Sequence, residues 1–199
     1  MSILMFKLGI FCWLYNKDMG IICAVILLFV GIVVLLFLIP GLTGAPYVPS
    51  AKKSVEKALT KLYPIKHGDL LIDLGAGDGV VLYTAAKRGA KTLGLEINPI
   101  LTLITKWRFR NNRKITVKCR NFYRYSFPPE TTIVYAYALA NHIEMIRGKI
   151  EREATRLKKP VYFISNAFNL KGLQPIKKLD SFYLYKIEPE IEKAAPKDR

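Results

Sequence analysis

Cysteine is scarce in this chain, and its three copies, Cys12, Cys23 and Cys119, show neither the pairing of a disulfide framework nor the spacing of a metal site. They read as small hydrophobes, and no metal is expected. Arginine is absent ahead of Arg88 and the N-terminus is not amphipathic, so a mitochondrial transit peptide is not evident. Acidic residues are few, with 15 Asp and Glu against 31 Lys and Arg, for a formal net charge of +16. The excess lies almost wholly beyond the first 50 residues. An anionic lipid surface is the favoured partner for it, ahead of a merely solvated basic face, and nucleic acid is disfavoured. Two segments do mix basic and aromatic residues as RNA binders do, Lys106 to Lys114 and Arg120 to Tyr125.

What the N-terminal part does contain is a long apolar run. Residues 20–39 (GIICAVILLFVGIVVLLFLI) carry no charge, and at about 1.5 Å per residue such a helix just crosses a hydrocarbon core about 30 Å thick. A spanning helix is the expectation. A cleaved signal peptide is the lesser alternative, because the run exceeds the usual apolar core of one. Residues 1–19 are apolar but interrupted by Lys7, and read as an interfacial segment. Residues 40–50 form a Pro/Gly linker. Only Lys7 and Lys17 precede the span, whereas Lys52, Lys53, Lys57, Lys61 and Lys66 follow it, so the remainder is expected to face the cytoplasm.

The stretch Leu71-Ile-Asp-Leu-Gly-Ala-Gly-Asp-Gly79 is the most informative part of the sequence. Asp69 to Leu74 reads as a buried strand, the glycines at 75, 77 and 79 allow a tight turn and a close ligand, and Val80 to Arg88 reads as a helix stopped by Gly89. A second strand, Thr92 to Leu95, ends at Glu96, where a βαβ unit places an acid for ribose hydroxyls. A dinucleotide fingerprint would need a further glycine at position 80, which is Val80. The pattern is instead D-x-G-x-G-x-G, with Asp73 at the strand end placed to meet a cationic amine rather than a pyrophosphate.

The rest alternates as an α/β fold should. Ala51 to Leu62 reads as a leading helix capped by Ser50, with Val55, Ala58, Leu59 and Leu62 on one face, expected to cover the cofactor site. Ile100 to Asn111 follows Pro99 as a second crossover helix, and Lys114 to Lys118 as a third strand. Thr131 to Leu139 reads as strand four, Asn141 to Leu157 as a long charged helix, and Val161 to Ala167 as strand five. A hairpin of Leu173 to Leu179 and Phe182 to Ile187, turning at Asp180-Ser181, ends the domain, and residues 189–199 form a polar tail. The interval before the last strand is too short for another helix, so the substrate side is expected to be open. Asn141 reads as the cap of its helix more readily than as a group orienting a substrate, and Tyr135 and Tyr137 as alternating core positions more readily than as aromatic walls.

The motifs LIDLGAGDG and GLEINP resemble those of class I S-adenosylmethionine (SAM)-dependent methyltransferases. The resemblance implies a mostly parallel Rossmann-like sheet with its last strand antiparallel, spanning residues 51–188, and SAM as cofactor. It implies that Asp73, Gly75, Ala76, Gly77 and Gly79 hold the methionine part, and that Glu96, Ile97 and Asn98 hold the ribose side. Asn121 and Phe122 occupy the place of an acid and apolar pair that contacts adenine, with an amide for the acid. Together with the apolar N-terminal run and Pro46-Tyr-Val-Pro-Ser50, the chain is similar to the small membrane-anchored lysine methyltransferases that act on the ATP synthase c-subunit or the adenine nucleotide translocase. That likeness implies a single-pass membrane enzyme, facing the cytoplasm or, in a eukaryote, the mitochondrial matrix, which methylates lysine in a membrane protein. A lipid, quinone or other hydrophobic small molecule is the alternative acceptor. Ala138-Leu-Ala-Asn-His142 departs from the Asn/Asp-Pro-Pro-aromatic motif of enzymes that grip adenine or glutamine, so those substrates are disfavoured. No catalytic base is assigned.

Overall fold

The computed structural model describes residues 19–35 and 51–190, which belong to two units, residues 1–44 and 45–199. In the first unit, residues 19–35 form a helix, α1, whose Leu27, Leu28 and Phe29 are all well exposed. Among the described residues no helix is long and apolar enough to cross a membrane. The expected span continues through residues 36–39, which lie outside the described residues, as do Ser50, the linker, the interfacial segment and residues 191–199.

The second unit is a seven-stranded sheet in the order β3-β2-β1-β4-β5-β7-β6. Its strands are β1 Leu70–Leu74, β2 Lys91–Glu96, β3 Ile115–Cys119, β4 Thr131–Tyr137, β5 Val161–Asn166, β6 Lys177–Leu179 and β7 Phe182–Ile187. The pairs β3–β2, β2–β1, β1–β4 and β4–β5 are parallel, and β7 runs antiparallel to both β5 and β6. The single reversed strand is therefore β7, one place in from the edge.

Alternation along these strands divides the core between the two faces. On one face Leu71, Ile133, Tyr135, Ile164 and Leu184 meet α2 (Lys52–Lys57) and α3 (Val80–Lys87). On the other, Ile72, Val134, Phe163 and Tyr185 meet α5 (Ala140–Leu157). The remaining helix, α4 (Pro99–Arg108), flanks β2 and β3.

Several elements differ from the sequence expectation. The leading helix starts from Ala51 with no side-chain cap, and its second half, Ala58–Leu62, widens into a π-turn in which Tyr63 N donates to Ala58 O at 2.9 Å. Its apolar stripe is buried as expected, against α3 and the sheet beside β6 and β7, in a cluster that also includes Ala76 of the glycine turn. The fourth strand stops at Tyr137, and Leu139, not Asn141, caps α5, so Asn141 is a helical residue. The first arm of the final hairpin shrinks to Lys177–Leu179, because Gly172 takes a left-handed φ of 69° and Pro175 has no N–H to give a ladder. The turn at Asp180 and the absence of a helix between β5 and β6 agree with the expectation.

A buried ionic cluster ties the β3–β4 connection to α5. Glu153 accepts from Lys149 Nζ at 2.6 Å, from Arg156 Nε at 2.8 Å and from Phe127 N at 3.1 Å. Arg156 also donates to the Phe127 carbonyl, and the Lys149 ammonium lies 5.2 Å from the Phe127 ring centre. Burial opposes the Glu153 charge, but these donors together hold its carboxyl below the ordinary value.

Candidate active site

The site forms where β1 and β2 end side by side, at the carboxyl edge of the sheet, the usual ligand position in an open α/β fold. Beyond β1 the chain turns sharply. Gly75 N donates to Leu95 O at 2.8 Å, and Gly79 N to Ala76 O at 2.9 Å. Gly75, Gly77 and Gly79 take φ of 89°, 51° and 80°, in the left-handed region that side chains rarely adopt. Gly79 is also crowded, since a Cβ there would come within 2.5 Å of the Phe109 ring and 2.8 Å of Thr105 Cγ2. Gly75 differs, because among the described residues nothing stands within 4 Å of where its Cβ would be. Its backbone therefore presents an open approach.

Glu96 locks the turn from β2. One carboxylate oxygen accepts from Gly77 N at 2.9 Å and the other from Asn98 N at 2.8 Å. Each oxygen keeps a further lone pair, so hydroxyl donors are still accommodated. Asp73 is 3% exposed and lies near two other acids. Burial first, then the charges of Glu96 and Asp78, push its carboxyl well above the usual carboxylate range. Among the described residues it has no salt-bridge partner. A buried carboxylate beside two acids, at the mouth of a turn whose glycine faces open space, fits a ligand with an ammonium group and ribose hydroxyls. SAM carries both.

The other expected residues are placed less uniformly. Ala76 is buried under Gly94, where an added Cβ would stand 2.7 Å from the Ala76 methyl, so it shapes the turn rather than presenting a side chain. Ile97 is 57% exposed just beyond Glu96. Asn98 caps α4, its Oδ1 accepting from Ile100 N at 2.9 Å and Leu101 N at 3.2 Å. Asn121 caps a 3-10 turn, Phe122–Arg124, by accepting from Tyr123 N at 2.9 Å, and the Phe122 ring is half-buried. Both follow β3 at the same sheet edge. Of the two tyrosines on β4, Tyr135 is a core residue whose hydroxyl receives the Asn166 amide at 3.2 Å, while Tyr137 is exposed at the strand end. Among the described residues no cluster has the makings of a metal site.

Sequence reasoning missed what α4 does for the turn. Thr105 Oγ1 donates to Gly77 O at 2.6 Å, and Arg108 reaches Asp78 O at 2.9 Å. Phe109, just past the helix, stacks on Tyr83 of α3 with ring centres 5.6 Å apart. The only hint in the sequence is the spacing of Thr102 and Thr105, an odd pair for the buried side of a helix.

Residues 73–177 match the family model of the ANTKMT methyltransferase domain, the interval from the buried Asp73 to the start of β6. This chain belongs to that family. It is a SAM-dependent methyltransferase. Among its relatives is a protein-lysine N-methyltransferase of Saccharolobus islandicus, 31% identical over 135 residues, covering 65% of this chain and 81% of that protein. The human lysine N-methyltransferase of the ATP synthase c-subunit is 27% identical over 111 residues, covering 54% of this chain but only 46% of the human protein. Of solved structures, an RNA methyltransferase from Salinibacter ruber in complex with S-adenosyl-L-homocysteine superposes with a TM-score of 0.65 at 24% identity, covering 73% of this chain and 97% of that one. At that identity the likeness is one of fold alone.

Proposed function

We propose that this methyltransferase N-methylates lysine side chains of a protein held at a membrane. The observation that carries the reading is the kinship with protein-lysine N-methyltransferases, within a family match that takes in the whole glycine turn and both acids. When bound, SAM supplies an electrophilic methyl group on a sulfonium. The chain's part is to bind, orient and keep water away. Asp73 would hold the amino-acid ammonium, Glu96 the ribose hydroxyls, and Asn121 with Phe122 the adenine.

In-line transfer needs a positioned, neutral amine more than a strong base, so orientation supplies most of the acceleration. A lysine entering past Tyr137 and Leu139, exposed by 38% and 40% at the end of β4, leaves water for an apolar rim. Desolvation lowers the amine pKa and frees its lone pair. The half-buried His142, on the first turn of α5, is the nearby polar side chain to vary. Anchorage through α1 and the following apolar residues, with this domain on the cytoplasmic or matrix side, would bring the open sheet edge to a substrate in the same bilayer.

The test is incubation of the purified full chain with methyl-labelled SAM and native membranes. Label in one protein band, located on lysine by mass spectrometry and lost in Glu96→Ala, is the expected result. Label only in the lipid extract would transfer the activity to a hydrophobic small molecule and refute the lysine reading.

A further inference from the structure

The helix that braces the glycine turn is inside out. Toward the core α4 presents Leu101, Thr102 and Thr105, and Thr102 Oγ1 is buried there with no hydrogen-bond partner among the described residues. Its outer stripe is Ile100, Leu103, Ile104 and Trp107, spaced i, i+3, i+4 and i+7 on one face. Leu103 is 69% exposed and Trp107 68%, and Ile97 extends the stripe beyond the helix start. A stable domain would ordinarily place these two faces the other way round.

The charge around the stripe is mostly of one sign, Asp78 on Arg108 at 3.5 Å being the exception. From Ile97 to Pro129 there is no acidic residue, while Lys106, Arg108, Arg110, Arg113, Lys114, Lys118, Arg120 and Arg124 all fall within that interval. The interval comprises α4, the edge strand β3 and the turns around them. Beside β3, Lys91, Arg113, Lys114 and Lys118 line one shallow groove.

We infer that α4 and its basic surround form a docking surface for an anionic lipid bilayer, with Leu103, Ile104 and Trp107 entering the headgroup boundary and Lys106, Arg110 and Arg120 meeting lipid phosphates. Charge complementarity selects the occupant, because a predominantly cationic rim around an apolar stripe matches a surface with anionic headgroups over hydrocarbon. RNA would match the charge but not the stripe. Aliphatic side chains offer bases nothing to stack on, and Arg110 already lies 4.8 Å over the Trp107 ring. The surface lies within the catalytic domain and does not depend on α1. It deepens the membrane reading above, since Ile97 adjoins Glu96 and lipid contact along α4 would hold the cofactor site close to the bilayer surface.

The test uses the full chain with Trp13→Phe, which leaves Trp107 as the sole tryptophan. The protein is reconstituted into vesicles of phosphatidylcholine alone or mixed with phosphatidylglycerol, some carrying brominated acyl chains. Blue-shifted Trp107 emission, quenched by bromine in the anionic vesicles, weaker in the neutral ones and reduced by salt, is the expected result. Leu103→Asp should abolish the quenching while SAM binding, read by calorimetry in the same sample, persists. Trp107 emission that stays solvent-like and open to aqueous iodide in every vesicle overturns the proposal. So does a shift produced by RNA but not by anionic lipid. Neither outcome touches the methyl-transfer reading, because labelling of a protein band is scored separately.

Discussion

At Asp73, stability and function pull in opposite directions. A carboxyl whose folded-state pKa is raised stabilises the fold in its protonated form, fully below the unfolded value of about 3.8 and not at all once pH rises through the folded value. At neutral pH its burial is therefore a cost, which the ammonium of a ligand bound there, as proposed, would offset. Asp73→Asn is expected to raise or leave unchanged the melting temperature while abolishing SAM binding, checked by calorimetry beside thermal unfolding. The wild type should lose SAM affinity on acidification through the raised Asp73 value. A second contrast separates two glycines. Gly79→Ala combines a φ of 80° with a Cβ 2.5 Å from the Phe109 ring, and should cost about 2–4 kcal/mol by denaturant unfolding. Gly75→Ala pays only the backbone strain, and should lower SAM affinity more than its smaller stability loss would suggest. Asp73 and the three glycines stood out in the sequence because they fall in one short motif at a strand end, and Glu96 because it ends the next strand at the spacing of a βαβ unit. Thr105, Arg108 and Phe109 were not, because they reach the turn through space from the next helix.

Among the elements, α5 depends on a buried charge cluster that periodicity alone does not reveal. Breaking it by Glu153→Gln leaves Lys149 buried without its counter-charge, and the loss should be about 3–5 kcal/mol by chemical unfolding. Because the Glu153 pKa is lowered in the fold, its contribution is complete above the unfolded carboxylate value near 4.5 and disappears as pH falls through the folded one. The variant should therefore show a flatter stability profile on the acid side than the wild type. Helix and strand identities were legible wherever the apolar spacing was regular, as in α3, α4 and β4. Boundaries failed where a competing local effect ruled. The π-turn at Ala58–Leu62 lets the leading helix keep Leu59 and Leu62 buried, and Leu139 caps α5 through backbone geometry alone, without the side-chain oxygen that made Asn141 attractive. In α4 the apolar stripe Ile100, Leu103, Ile104 and Trp107 faces outward, and periodicity fixes a stripe without saying which way it points.

For the whole molecule, sheet order decides when the parts can come together. β1 lies in the interior of the sheet, paired on one side with β2, which is close in sequence, and on the other with β4. The second pairing is remote, and Leu70 N meets Thr132 Oγ1 across a separation of 62 residues. Contacts of that span close late, since the chain between them must lose its freedom first. During synthesis the glycine turn, α3, β2 and α4 all leave the ribosome before the strand that covers the other edge of β1. Until β4 arrives, Asp73 sits at the open margin of a half-sheet, still hydrated and cheaply ionised. Its full burial therefore waits for β4, so a nascent chain stalled before residue 131 would carry the whole glycine motif without the environment that makes its acid want a cation.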